Sequence, residues 1–265
     1  MMLVKHYRMG LLVVVSLVYG FLLLPLIIVV MAAFNAGEYL TFPPQGLSFR
    51  WFASFLQSEP FIDSLKLSLE LAIYTMCIST TIGFLAALFV VRYAGKWRER
   101  LRVIMISPIL LPSILTGIAL LLFYYAVGIG TTTIFGLLMG HVLITLPYVF
   151  LNISSVLYNF DRSLEEMARS LGAGRFKTFF RITLPIIKPG VIAGAVFAFI
   201  VSFDQFTISL LLKAPGQVTL PIQLFDYVRW DFDPTAAAVA TVSIGITVGV
   251  VILVERLVGL DALYR

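Results

Sequence analysis

Apolar residues run through this chain in long unbroken stretches that short polar ones separate. Residues 9–37 hold no charged side chain, 29 positions against the roughly 20 that cross a bilayer core, and this predicts a first span at about 9–34. A cleaved signal peptide would have a shorter apolar centre, so the stretch is read as a retained helix. Residues 38–63 are mixed and aromatic, with Pro43, Pro44, Phe49, Trp51, Phe52 and Phe55, and read as a loop carrying an interfacial helix. A second span follows at about 64–91. Residues 103–160 contain no Asp, Glu, Lys or Arg; as one helix they would extend about 87 Å, nearly three bilayer cores. They must fold as a hairpin, with the turn at Gly128, Gly130 and Thr131–Thr133 and spans at about 103–126 and 133–158. Pro108, Pro112 and Pro147 are expected to kink them. Two further spans are predicted at about 186–212 and 235–254.

The pattern therefore predicts an all-α integral membrane protein of six transmembrane helices in one domain, residues 1–265. Composition agrees: 60% hydrophobic, 12% charged and a mean hydropathy of +1.00 lie far from soluble averages. The net charge of +5 does not indicate nucleic acid, because the basic residues sit in clusters between apolar runs. They set orientation instead. Of 19 Lys and Arg, 15 fall on the side of the termini, the 92–102 turn and the stretch from Arg162 to Lys188, so the positive-inside rule puts both termini and the 161–185 loop in the cytoplasm.

Residues 161–185, DRSLEEMARSLGAGRFKTFFRITLP, are the most polar long segment. Ser163 stands three residues before Glu166, the capping-box spacing that starts a helix. Leu164, Met167, Ala168 and Leu171 fall at i, i+3, i+4 and i+7 and share one face. Gly172 and Gly174 stop this helix. A second short helix with Phe176, Phe179, Phe180 and Thr183 on one side is expected to end at Pro185. Helices so short need a partner surface.

Glu166, Ala168, Gly172, Ile182, Leu184 and Pro185 reproduce the spacing of the EAA loop, and the segment resembles that of permease subunits of bacterial ABC importers, with Met167 where the family usually has alanine. Residues 42–52, Ser202–Gln205 and Thr219–Ile222 are similar to the second permease of spermidine/putrescine-type importers. The resemblance implies a MetI-like permease fold with cytoplasmic coupling helices in a bacterial inner membrane. It implies as partners a second homologous permease, an ABC ATPase dimer and a periplasmic or extracellular solute-binding protein. It also implies an ATPase-coupling set of Glu165, Glu166, Met167, Ala168, Leu171, Gly172 and Ala173.

The run from Gly172 to Thr178 lacks the glycine that a phosphate loop places before its Lys-Thr, so ATP is bound elsewhere. No HExxH, GxSxG or CxxC occurs, Cys77 stands alone, and only His6 and His141 could serve a histidine site. The chain reads as a transport subunit rather than an enzyme, with no metal and no cofactor of its own. Ionisable groups at membrane depth mark pathways or interior pairs. Asp204, flanked by Phe203, Gln205 and Phe206, either lines a path for a cation or pairs with another helix. His141 is either a path residue or a hydrogen-bonded packing residue. Glu70 is expected to pair with Lys66 one turn away, and Tyr124 and Tyr125 to sit in an interfacial belt. Polyamine members often carry a second acid where this chain has Gln205, so iron(III), opine, aminophosphonate and amino-acid-derivative importers remain open. An ion-driven secondary carrier is the rival of another class; it would bring internal repeats and paired intramembrane charges, and neither is visible.

Overall fold

The computed structural model of the chain describes residues 2–131 and 133–258, with side chains over 8–131 and 133–256. Arg265 and Thr132, used above for charge and turn, and the side chains of Lys5 and His6 lie outside these. The apolar runs become helices α1 Met2–Ala33, α2 Arg50–Gln57, α3 Glu59–Arg92, α4 Arg98–Leu110, α5 Ser113–Ala126 and α6 Ile134–Tyr158. After them come α7 Ser163–Ser170, α8 Arg175–Thr178, α9 Leu184–Phe203, α10 Thr207–Leu212, α11 Leu220–Val228 and α12 Thr235–Val258. Among the described residues, five helical stretches are each long and apolar enough to cross a membrane; α4 and α5, counted as one broken span, make the sixth.

Three spans differ in detail from expectation. The third is not a kinked rod: its two halves meet at 103°. Proline forces the residue before it out of helical geometry, and Leu111 accordingly takes φ −93° and ψ 140° ahead of Pro112. Pro108 and Pro147, by contrast, lie inside continuous helices. The fifth span does not begin after Pro185. Helix α8 runs through a π turn, Phe179–Thr183, directly into α9, with Pro185 in the first turn of α9. The wider π ring relieves the clash of a proline ring with the carbonyl four residues back. Nor does this span continue to residue 212, because α9 ends at Phe203 and α10 restarts at Thr207.

Two compact units can be distinguished, one comprising the chain up to Ile62 with Leu224–Ile246, the other Asp63–Gln223 with the chain from Thr247 onward. In the first, the α1 end packs Ala32 and Ala33 against Ala237 and Ala238 of α12, with Trp51 and Phe52 alongside. Buried Asn35 ties the following loop. Its amide donates to the Tyr39 carbonyl at 3.0 Å, and its carbonyl accepts from the Gly37 and Gln45 N–H groups at 3.0 and 2.9 Å. Trp51 donates to the Asn35 carbonyl at 2.8 Å, which orients α2.

The second unit is built on α6. One apolar cluster joins Ala87, Val90 and Val91 of α3 to Val149, Phe150, Ile153 and Leu157 of α6 and to Ile187 and Ala198 of α9. A second joins Leu71, Tyr124, Leu137 and Ile144 to Ile208 and Leu212 of α10. With lipid as apolar as any side chain, membrane helices associate through close packing and interhelical hydrogen bonds. Both are present. A Cβ on Gly194 would stand 3.0 Å from the Val149 Cα, and one on Gly83 would stand 2.7 Å from Cγ1 of the same valine. Ser79 and Thr145 hydroxyls meet at 2.7 Å between α3 and α6.

The hairpin turn falls where glycine predicts it, with Gly128 and Gly130 at φ +77° and +61°. Tyr124 is not a belt residue: it is buried, and its hydroxyl donates to the Gly136 carbonyl at 3.1 Å, locking α5 to the start of α6. Tyr125 is exposed. Lys66 pairs with Asp63 at 3.3 Å instead of with Glu70. An acid N-terminal to its base is the better-oriented partner along a helix, and Asp63 holds that place.

Replacing Gly194 by leucine should overpack this contact and cost about 1–3 kcal/mol, lowering the unfolding midpoint in detergent. Gly245→Ala, at a position with nothing within 4 Å of a new Cβ, should leave the midpoint unchanged or raise it.

Candidate functional site

The segment between α6 and α9 folds as α7, a glycine turn, α8 and the π turn. Helix α7 begins at Ser163 as expected, but Asp161 and not a Ser163–Glu166 pair serves its first turn: the Ser163 N–H donates to Asp161 Oδ1 at 2.9 Å, and this bond holds the exposed Asp161 carboxyl below its usual range. Asp161 reaches two residues forward and so pre-empts the capping box. The helix ends in a Schellman motif, with Gly172 at φ +85°, its N–H donating to the Arg169 carbonyl and the Ala173 N–H to the Ala168 carbonyl. Gly172 therefore terminates α7 as expected. Gly174 has φ −67° and instead precedes α8 in extended conformation.

The four apolar positions of α7 do not act as one face. Leu164 and Ala168 turn toward the spans and are half-buried. Met167 and Leu171 point away, 55% and 89% exposed, and with Ser163, Glu166 and Ser170 they line an open groove of about 430 Å³. The second cluster divides likewise. Phe179 packs against Phe84 and Thr183 is buried, whereas Phe176 and Phe180 are exposed.

Glu165 is the residue whose place the sequence concealed. It faces inward, 7% exposed, with Oε1 at 2.8 Å from Arg92 Nη2 of α3 and accepting the Thr183 hydroxyl. Arg169 Nη2 lies 3.8 Å from Oε2, and the Arg92 guanidinium sits over the Phe160 ring at 5.4 Å. Burial by itself would raise this carboxyl; the hydrogen bond from Thr183 and the charges of Arg92 and Arg169 outweigh it and hold the group below its ordinary value.

The second candidate region is the break in the fifth span. Asp204 follows the last turn of α9 and is exposed, while Gln205 and Phe206 are half-buried and complete the gap before α10. Phe203 is buried and stacks on Phe199. His141 of α6 is fully buried, its Nδ1 at 2.8 Å from the Ser202 hydroxyl and its Nε2 at 2.9 Å from the Ser209 hydroxyl. Ser209 in turn donates to the Gln205 carbonyl at 2.6 Å. Both ring nitrogens are occupied by serines, so His141 staples the two halves of the break together.

A folded-state carboxyl held below its unfolded value stabilises the protein fully above that value, and the contribution drains away as the pH falls through the lower, folded one. The gap in thermal midpoint between the unaltered chain and Glu165→Gln should accordingly be complete near neutral pH and close steadily below about 4.5. A gap that stays constant into strong acid would contradict this account.

Comparison with known proteins matches these features. Residues 79–259 fit the family described as binding-protein-dependent transport system inner membrane component. The putrescine transport system permease protein PotI of Escherichia coli K12 is 35% identical over 246 residues, covering 90% of this chain and 86% of that one. The spermidine/putrescine transport system permease protein PotC of Haemophilus influenzae is 29% identical over 237 residues, covering 89% and 91%. A crystal structure of a bacterial ABC transporter involved in alginate import superposes with a TM-score of 0.73 over 96% of each chain at 17% identity. An inward-facing MetNI methionine ABC transporter reaches 0.60 over 76% of this chain and 98% of that one, also at 17%. At such identity these two speak for the fold, which is MetI-like. With a family match over residues 79–259 and a relative 35% identical over nine tenths of its length, the chain belongs to the family of binding-protein-dependent transport system inner membrane components, as a transport subunit and not an enzyme.

Proposed function

We propose that this chain is one of two permease subunits of a bacterial ABC importer, acting as a single permease domain and contributing half of a path for a small amine of the polyamine class. A solute-binding protein outside the membrane delivers the amine, and a separate pair of ATPase subunits supplies the energy. Both termini and the α7 loop face the cytoplasm.

The observation that carries this reading is the outward groove of α7. A water-soluble loop has no reason to hold Met167 and Leu171 in the open. A cleft on an ATPase would cover them, with Glu166 and Ser170 as the polar rim, while Ala168, Gly172 and Ala173 set the shape and the end of the helix. Closure of the ATPase pair would then displace α7, and that displacement would alternate the path between the two sides. Glu165 lies away from the groove and would serve as an anchor.

The amine assignment rests on the relatives named for putrescine and spermidine and on Asp204, an exposed acid in a helix break of an otherwise apolar span. Gln205 beside it leaves one negative charge where a dication would use two. The other solute classes of the superfamily are therefore the second reading. Phe203, Phe206 and His141 support the break more than they line a path, since Phe203 and His141 are buried.

Reconstituted with its partner subunits, the unaltered chain should give ATP hydrolysis stimulated by putrescine or spermidine bound to the binding protein. If neither amine stimulates and another class of solute does, the substrate assignment is overturned. Met167→Ala or Leu171→Ala should reduce stimulated hydrolysis at least about tenfold, the scale of losing an interface anchor, with the protein still present in the membrane. Asp204→Asn should raise the solute concentration for half-maximal uptake about tenfold, as expected for losing a charged hydrogen-bond partner. A cysteine at Ser170, in a Cys77→Ser background, should react with a membrane-impermeant reagent from the cytoplasmic side alone.

A further inference from the structure

Three separate stretches of chain converge on the Glu165 carboxylate. Arg92 is the last residue of α3, Glu165 belongs to α7, and Thr183 closes the π turn that runs into α9. All three are withdrawn from solvent: the Arg92 side chain is 14% exposed, that of Glu165 nearly covered and Thr183 fully buried. The other links between α7 and the spans are slight, because Leu164 and Ala168 are only half-buried and the rest of the helix is exposed. A buried ion pair contributes little net stability over apolar packing, yet losing one partner leaves a charge stranded, so its value lies in fixing one arrangement. The π turn adds to this. It lets the rod pass Pro185 unbroken while presenting Thr183 to α7, and π turns of this kind recur at functional positions in helices.

We propose that Arg92, Glu165 and Thr183 are positioning residues that make α7 a rigid extension of both α3 and the α8–α9 rod. A force applied at the outward groove then moves the inner ends of two spans together instead of swivelling a loose helix. This rests on the importer reading above and adds to it the linkage by which the loop drives the spans. Arg169, at 3.8 Å, is the auxiliary partner, and Phe160 under the Arg92 guanidinium holds the cation in place.

The test compares the unaltered chain with Glu165→Gln, Thr183→Val, Thr183→Ser and Arg92→Lys in the complete importer. The readouts are solute taken up per ATP hydrolysed and the distance distribution between spin labels on Tyr93→Cys and Arg162→Cys, both exposed and outside the groove, in a Cys77→Ser background. Glu165→Gln and Thr183→Val should lower the uptake ratio at least about fivefold, the lower range of coupling between sites, and should widen the distance distribution. Thr183→Ser, which keeps the hydroxyl, should restore both, and Arg92→Lys should fall between. Should Glu165→Gln fail to assemble, the nearly isosteric Thr183→Val decides the matter. An unchanged uptake ratio and an unchanged distribution in Thr183→Val would overturn the inference while leaving the importer reading intact. Failure of the unaltered chain to associate with any ATPase would overturn the importer reading itself; the distance measurement on the chain in lipid would then still judge the anchoring.

Discussion

Inside a bilayer a backbone group that leaves its helix finds no water to bond with, and the architecture of this chain depends on how it meets that constraint. Two spans are broken. At the break between α9 and α10, buried His141 and two serine hydroxyls gather the loose ends, and Ser209 takes the Gln205 carbonyl. At the bend between α4 and α5, the Pro112 carbonyl is claimed by the N–H groups of Leu115 and Thr116. Each interruption is permitted because its polar groups are matched locally, and each places irregular chain where a continuous helix would present only apolar side chains.

The same constraint bears on how the helices hold together. Packing does the work that water expulsion does in a soluble protein, so glycines on α3 and α9 bring both helices close against Val149 of α6. With α6 as the post, the α7 loop is braced by the inner ends of its neighbours, through a carboxylate shared between a guanidinium and a hydroxyl. A short helix that could not persist alone in water is thus given a fixed orientation. Its exposed methionine and leucine are then presented as a surface rather than collapsing onto the spans.

Much of this was legible in the order of residues. The spans follow from hydropathy alone, since an uncharged run of 58 residues admits no reading but a hairpin, and glycines 128 and 130 mark its turn. Gly172 was legible because only a residue free to take positive φ closes α7 this way. The bend at Pro112, the break at residues 204–206 and the burial of Tyr124 were not. Helical propensity does not locate tertiary partners: Tyr124 is drawn in by the Gly136 carbonyl, and the break is gathered by His141, 61 and 68 residues from its two serines. Proline alone does not dictate a bend, since Pro108 and Pro147 sit inside continuous helices. Glu165 was hidden for a related reason. Arg92 read as one of a cluster of topology-setting cations and Thr183 as one position on the phenylalanine side of the second short helix. Their convergence is tertiary, joining positions 73 and 18 residues away from the glutamate. A pointer was available in the helix geometry: Glu165 and Ala168 lie on the same side of α7, opposite Glu166 and Ser170.

The first helix stands apart from all of this. Its most apolar window has no buried position within the chain, although its hydropathy of 2.9 exceeds that of the other spans. Its entry into lipid therefore owes nothing to later helices and can be complete while the remainder is still being synthesised, driven by its own leucines, isoleucines, valines and phenylalanines. Natural variation within that window should be wide and nearly free in identity, restrained by oiliness alone, whereas at Ala32 and Ala33, packed on α12, and at Val149 of α6, met by glycines of two helices, a single methylene is felt.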